Sequence, residues 1–271
     1  MPRYACATCA AQFPDGDAPP DVCPICTDAR QYVPEDGQRW TSLDELAAGH
    51  RNEVREDAGL LGIGTEPSLA IGQRALLVPF GERFVMWDCV TYFDDDAAAA
   101  IERRGGLAAI AISHPHYYSG MADWAARFGC PVLLHAADER WITRPDPAIE
   151  LWDGDTRDLG HGVRLVHCGG HFAGGTVLHW GPGAEGAGAL LSGDIVQVIP
   201  DRTHVAFMYS YPNLIPLPEA SVARIAAALE PHAFEVIYGA WWGRVVQRDG
   251  KEIVRRSAER YGRALRGMPA P

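Results

Sequence analysis

No apolar run in the chain approaches the roughly 18 residues expected of a membrane-spanning helix. The opening MPRYACATC also lacks the basic stretch followed by an apolar one that marks a secretory leader. Both absences predict a cytoplasmic protein with no membrane partner. Positive charge is scarce: 24 Lys and Arg face 35 Asp and Glu, a formal net charge of −11. Phosphate backbones and anionic lipid surfaces require a basic footprint, which no stretch supplies, so nucleic acid is set aside and a small-molecule substrate is expected. No internal repeat of fixed period is present, and nothing in the sequence fixes an oligomeric state.

What is present begins with bulk. The 271 residues, 47% of them hydrophobic, can bury a sizeable core and suit one main domain with an appendage. Seven cysteines is an odd number, and four of them form two C-x-x-C pairs, Cys6/Cys9 and Cys23/Cys26, separated by a turn-rich segment with Pro14, Gly16, Pro19 and Pro20. Each pair makes a tight knuckle that turns two thiolates inward, and four thiolates suit zinc or a single iron. CPIC resembles a rubredoxin knuckle, although Ala10 and Thr27 stand where rubredoxin knuckles usually carry glycine. Zinc is the expected metal, with iron open. A segment of about 30 residues has almost no core, so the metal would supply most of its folding free energy.

The chain divides into a four-cysteine module over 1–35, a connecting segment over 36–68 and a main domain over 69–271. In the connection, Thr41 or Ser42 is placed to cap a short helix with Asp44 and Glu45 in its first turn. Further on, apolar runs predict strands at 75–79 and 83–88 joined by a Gly81-Glu82 turn, and then at LAAIAIS, PVLLH, several stretches from 162 to 196, and EVIYGA. Helical pattern marks 94–104, 120–128, 220–229 and 251–265.

Four side chains fall at predicted strand ends beside glycine or a turn: His114 and His116 in SHPHYYSG, His171 in GGHFAGGTV, and Asp194 in SGD. Strand ends let side chains converge while the sheet holds them rigid. In order and spacing these segments resemble the metallo-β-lactamase superfamily, whose pattern runs from H-x-H-x-D-H through G-H-x-x-G to G-D. FVMWD matches the family's early strand ending in an aspartate, here Asp88. The resemblance covers about residues 69–245 and implies an α+β fold, a four-layer αβ/βα sandwich with a metal cleft at one edge of its two sheets.

Departures from that pattern are informative. Tyr118 and Ser119 occupy the places of the second metal's aspartate and histidine, and Ala240 that of a later histidine. The resemblance therefore implies a one-metal site with His114, His116 and His171 as neutral imidazole ligands, and Asp194 as a fourth ligand or as acceptor for bound water. Zinc is again the expected ion and iron an open one, since the superfamily also contains persulfide dioxygenases with a single iron. The implied activity is a mononuclear hydrolase in which activated water attacks an ester, thioester, lactone or amide carbonyl. Asp194 would orient that water, and Tyr118 or Ser119 would assist the oxyanion. Two rivals stand beside it: an iron oxygenase or redox protein using a rubredoxin-like iron, and a non-catalytic metal-binding scaffold.

Several other residues draw attention. Cys168, close to His171, is a further candidate ligand, although it shares with Cys89 and Cys130 an apolar context that suits a buried thiol. His135, His161, His167 and His179 read as structural histidines, and His204 as a candidate pocket residue. The segment from His204 to Leu217 reads either as a substrate wall, with Phe207, Met208, Tyr209 and Tyr211, or as a buried connector. Trp241 and Trp242 would fill the volume vacated by the missing histidine.

Overall fold

Two short strands, β1 (Tyr4–Cys6) and β2 (Trp40–Ser42), pair antiparallel and bracket the cysteine-bearing segment. The structure, a computed structural model, describes residues 1–268. Helix α1 (Leu43–Gly49) follows at once, because Ser42 and Glu45 form a reciprocal cap: Glu45 N donates to Ser42 Oγ at 3.2 Å and Ser42 N to Glu45 Oε2 at 2.9 Å. Ser42 is thus the capping residue of the two that the sequence offered. The rest of the expected connection is a hairpin, β3 (Arg51–Asp57) and β4 (Leu60–Glu66), paired over seven positions. Its pattern is hidden in the sequence because RNEVRED has one apolar residue and LLGIGTE carries two glycines.

That hairpin forms one edge of a seven-stranded sheet. Next come β5 (Ala75–Phe80), β6 (Arg83–Trp87), β7 (Leu107–Ala111), β8 (Val132–His135) and β9 (Ile149–Trp152), neighbours in that order. Strands β5 and β6 pair antiparallel through the predicted turn, with Gly81 at φ 60°. Strands β6, β7 and β8 run parallel and need crossovers. These are α2 (Asp95–Glu102), capped by Asp94, and α3 (Met121–Phe128), which buries Met121, Ala122, Trp124 and Ala125 and stops at Gly129 in the left-handed region. Consecutive burial of Ala75 to Val78 fits a central strand covered on both faces.

The chain forms two compact units, residues 1–134 with 138–151, and residues 135–137 with 152 onward. The second unit is built on a six-stranded sheet in the order β10 (Thr156–Gly160), β11 (Val163–His167), β12 (Thr176–Trp180), β13 (Ala189–Gly193), β18 (Val236–Gly239), β19 (Val245–Val246). Only β13 and β18 pair in parallel. Between them lie two small hairpins, β14 (Gln197–Val198) with β15 (Val205–Ala206), and β16 (Met208–Ser210) with β17 (Ile215–Pro216). Helices α4 (Glu219–Leu229) and α5 (Gly250–Leu265) contribute Val222, Ile225, Leu229, Ile253 and Val254 to a core with Val166, Val177, Leu190 and Phe207. Among the described residues no helix is long and apolar enough to cross a membrane.

Candidate metal centres

The four knuckle cysteines come together in the first unit. Cys6 and Cys26 sulfurs are 3.5 Å apart, as are those of Cys9 and Cys23, and all four lie within 4.8 Å of one another. A disulfide needs about 2.05 Å, so these are free thiols; a tetrahedron of metal–sulfur bonds of about 2.3 Å has edges of roughly 3.8 Å, close to what is seen. Backbone bonds shape each turn, Ala10 N to Cys6 O at 2.8 Å and Thr27 N to Cys23 O at 3.1 Å. Ala10 takes the left-handed φ of 65°, the conformation that favours glycine. Gln38 spans both knuckles, accepting from Cys23 N at 2.9 Å and donating to Cys6 Sγ at 3.7 Å. Phe13 and Ile25 bury the sulfurs with Trp40 and Trp141 packed against them. Hydrogen bonding led by Cys23 lowers the Cys6 thiol and raises those of Cys9 and Cys26. Four full thiolates in this volume therefore call for a cation, and the donor set fits zinc or iron.

The His-x-His segment leaves β7 in the same unit. Asp88, at the end of β6, accepts the Ser113 N–H at 2.8 Å, and Ser113 Oγ lies 2.9 Å from His114 Nδ1, directing Nε2 of that ring toward a ligand. Burial pushes the Asp88 carboxyl up to about 7, against the opposing pull of the Ser113 N–H. Pro115 starts a single 3₁₀ turn through Tyr117, which brings the His114 and His116 ring centroids to 5.1 Å at 75°. Tyr117, whose ring packs 4.4 Å from His114, is a neighbour that motif reading missed. Tyr118 is buried, and burial, seconded by the charge of Asp138, holds its phenol well above its ordinary range. It offers a neutral O–H and not a phenolate. Ser119 is buried too, with Oγ 3.4 Å from Tyr117 O.

His171 and Asp194 belong to the second unit. The loop before β12 is pinned because Cys168 N and Gly169 N both donate to Gly175 O at 2.8 Å. His171, 1% exposed, sets Nδ1 3.2 Å from Met208 O. Asp194 follows β13 and is 4% exposed, with a ligand atom within 4.8 Å of one from His171. Tyr211 binds the pair: its O–H donates to Asp194 O at 2.6 Å and its ring lies 5.6 Å from that of His171. Both the Met208 carbonyl and Tyr211 lie in the segment from His204 to Leu217, which is wall and connector at once, since Phe207 is fully buried.

The remaining residues settle elsewhere. Burial pushes Cys168 up to about 12 within the apolar core of the second unit. His135 stacks on His167 at 3.9 Å, with its Nε2 facing Gly154 O, and His179 is held by Ala233 O at 2.8 Å. His204 is engaged with Thr203 Oγ1 at 3.0 Å, in a turn that Asp201 also ties. Trp241 and Trp242 follow β18 and are half-buried.

No protein-family model matches the chain. It is 47% identical over 268 residues to the protein YmaE of Bacillus subtilis (strain 168), covering 98% of this chain and 97% of that one. A hydroxyacylglutathione hydrolase of Acidiphilium cryptum (strain JF-5) is 29% identical over 193 residues, 65% of this chain and 71% of its own. Among solved structures, the DIM-1 metallo-β-lactamase matches with a TM-score of 0.58 over 80% of this chain and 98% of that one, at 12% identity. The chain belongs to one family with YmaE, and its α+β fold, mixed sheets with flanking helices, is that of the metallo-β-lactamases.

Proposed function

We propose that the protein is a mononuclear hydrolase of a small-molecule ester, thioester, lactone or amide, with one ion held by His114, His116 and His171. The observation that carries this reading is that two of these buried imidazoles are fixed from behind at Nδ1, His114 by Ser113 Oγ and His171 by the Met208 carbonyl. Neutral imidazoles fixed from behind are ligands prepared in advance. A zinc ion bound there would lower the pKa of water and polarise a carbonyl. Asp194 ligates that ion or accepts a proton from the water, and Tyr211 holds its main chain in place. Tyr118, kept as a neutral phenol, serves as an O–H donor toward the oxyanion, as an uncharged residue in the second-metal position allows.

Metal analysis tests the reading. Wild-type protein is expected to hold about two ions per chain, one in each set, and His114→Ala or His171→Ala about one, with hydrolysis lost from both variants. The name of the Acidiphilium relative puts thioesters first in a substrate panel. Two ions retained by both variants would remove the histidines from the metal and end the proposal. A red iron–thiolate spectrum instead of a colourless protein would transfer it to redox chemistry.

A further inference from the structure

The four-cysteine knuckle touches the platform on which the histidine segment rests. Cys6 fixes the backbone that follows its own turn, accepting from Ala10 N at 2.8 Å and donating to Ala11 O at 2.9 Å. From that fixed stretch two bonds reach Thr91: Gln12 Nε2 donates to Thr91 O at 3.2 Å, and Thr91 Oγ1 donates to Ala10 O at 3.4 Å. Both residues are buried, Gln12 at 2% and Thr91 at 3% exposure. Gln12 is held from its other side by Thr143 Oγ1 at 2.7 Å and Arg144 at 2.8 Å, and Arg144 continues to Asp123 on α3 at 3.0 Å.

The other face of the platform carries the histidines. Gly120 ends the segment from Ser113 and starts α3, and its backbone lies so close that a Cβ there would sit 2.6 Å from Thr91 O and 2.7 Å from Val90 O. Trp124, fully buried in α3, donates to Val90 O at 3.2 Å. At the near end, Asp88 fixes Ser113. The short run from Asp88 to Thr91 therefore holds both ends of the segment bearing His114 and His116, and the knuckle holds that run at Thr91.

We propose that the knuckle is a strut for the first half of the histidine site, with Gln12 and Thr91 as positioning residues. Filling the knuckle fixes the height of the Val90–Thr91 carbonyls and so the spacing of His114 and His116. This rests on the reading of those histidines as metal ligands. It gives the appendage a function beyond its own folding: loss of its metal, by oxidation or by competition for it, weakens metal binding at the histidines without touching a histidine.

Titration of metal-free protein with cobalt(II) tests the link, because thiolate charge-transfer absorption reports the knuckle separately from the histidines. Gln12→Ala and Thr91→Val are expected to keep the knuckle affinity and to weaken the histidine site about five- to tenfold, the effect of one misplaced hydrogen bond. Thr91→Ser, which retains the hydroxyl, is expected to restore it. Wild-type affinity at both sites in both variants overturns the strut and leaves the hydrolase reading intact. Loss of cobalt from the knuckle itself also overturns it, since Gln12 and Thr91 would then be folding residues of the module. Absence of any histidine-bound cobalt from the wild-type protein overturns the hydrolase reading and the strut with it.

Discussion

The two metal-capable sets are built in opposite ways. Knuckle ligands come from one stretch between Cys6 and Cys26, close through local backbone turns and pack under Phe13, Ile25 and two tryptophans. The histidine–aspartate set draws its members from the ends of β7 and β13 and from the loop before β12, and each is steadied by a group remote in sequence. Four thiolates complete a tetrahedron and exclude solvent, so the ion there replaces a core. Under the proposed function, three imidazoles would leave coordination open and place their ion for chemistry, with the sheets carrying the stability. The lesson is that local ligands suit a metal that folds a segment, and scattered ones a metal that a finished fold presents.

The largest expected break in that comparison is Cys23→Ser. It removes one of four ligands from a site whose metal is worth on the order of 10 kcal/mol to such a module. Several kcal/mol should be lost, with early proteolytic cleavage in residues 1–42 and a lower melting temperature, whereas His171→Ala should leave melting nearly unchanged. Next comes Tyr118→Phe, which keeps the packing and deletes one donor; kcat should fall about 10- to 100-fold with metal content unchanged. A kcat within twofold of wild type would return Tyr118 to a packing role.

The smallest effect is a pH dependence contributed by two histidines of the second unit. Burial lowers the pKa of His135, with help from His167, and burial likewise lowers that of His232. Their folded values lie below the unfolded value of about 6.5, so the unfolded chain binds protons first and stability falls as pH drops from about 6.5 toward the folded values. Buried Asp88, pushed up to about 7, acts in the opposite sense across that window, so the histidine contribution is read as a difference: in urea melts His135→Gln should lose less stability, or gain more, than wild type as pH falls.

Much of this was legible in the sequence wherever the signal is local. Ser42 with Glu45 caps α1, Gly81 turns the β5–β6 hairpin, and the cysteine spacing marks the knuckle, whereas Asp94, read as helical, is the cap of α2. The β3–β4 hairpin was not, because Arg51–Asp57 exposes most of its side chains and shows no apolar alternation. Supporting groups around the histidines were hidden for another reason. The Met208 carbonyl has no side-chain signature, and Tyr211 and Ser113 act through bonds that only the folded backbone defines.

The β16–β17 hairpin has a consequence for how such a protein diversifies. Its first strand meets His171 through the Met208 carbonyl, and its turn meets Asp194 through the Tyr211 phenol while holding Leu214 78% exposed. One short turn therefore has two faces, an inward one fixed by Tyr211 and an outward one at Leu214 that can change in size or polarity without moving that bond.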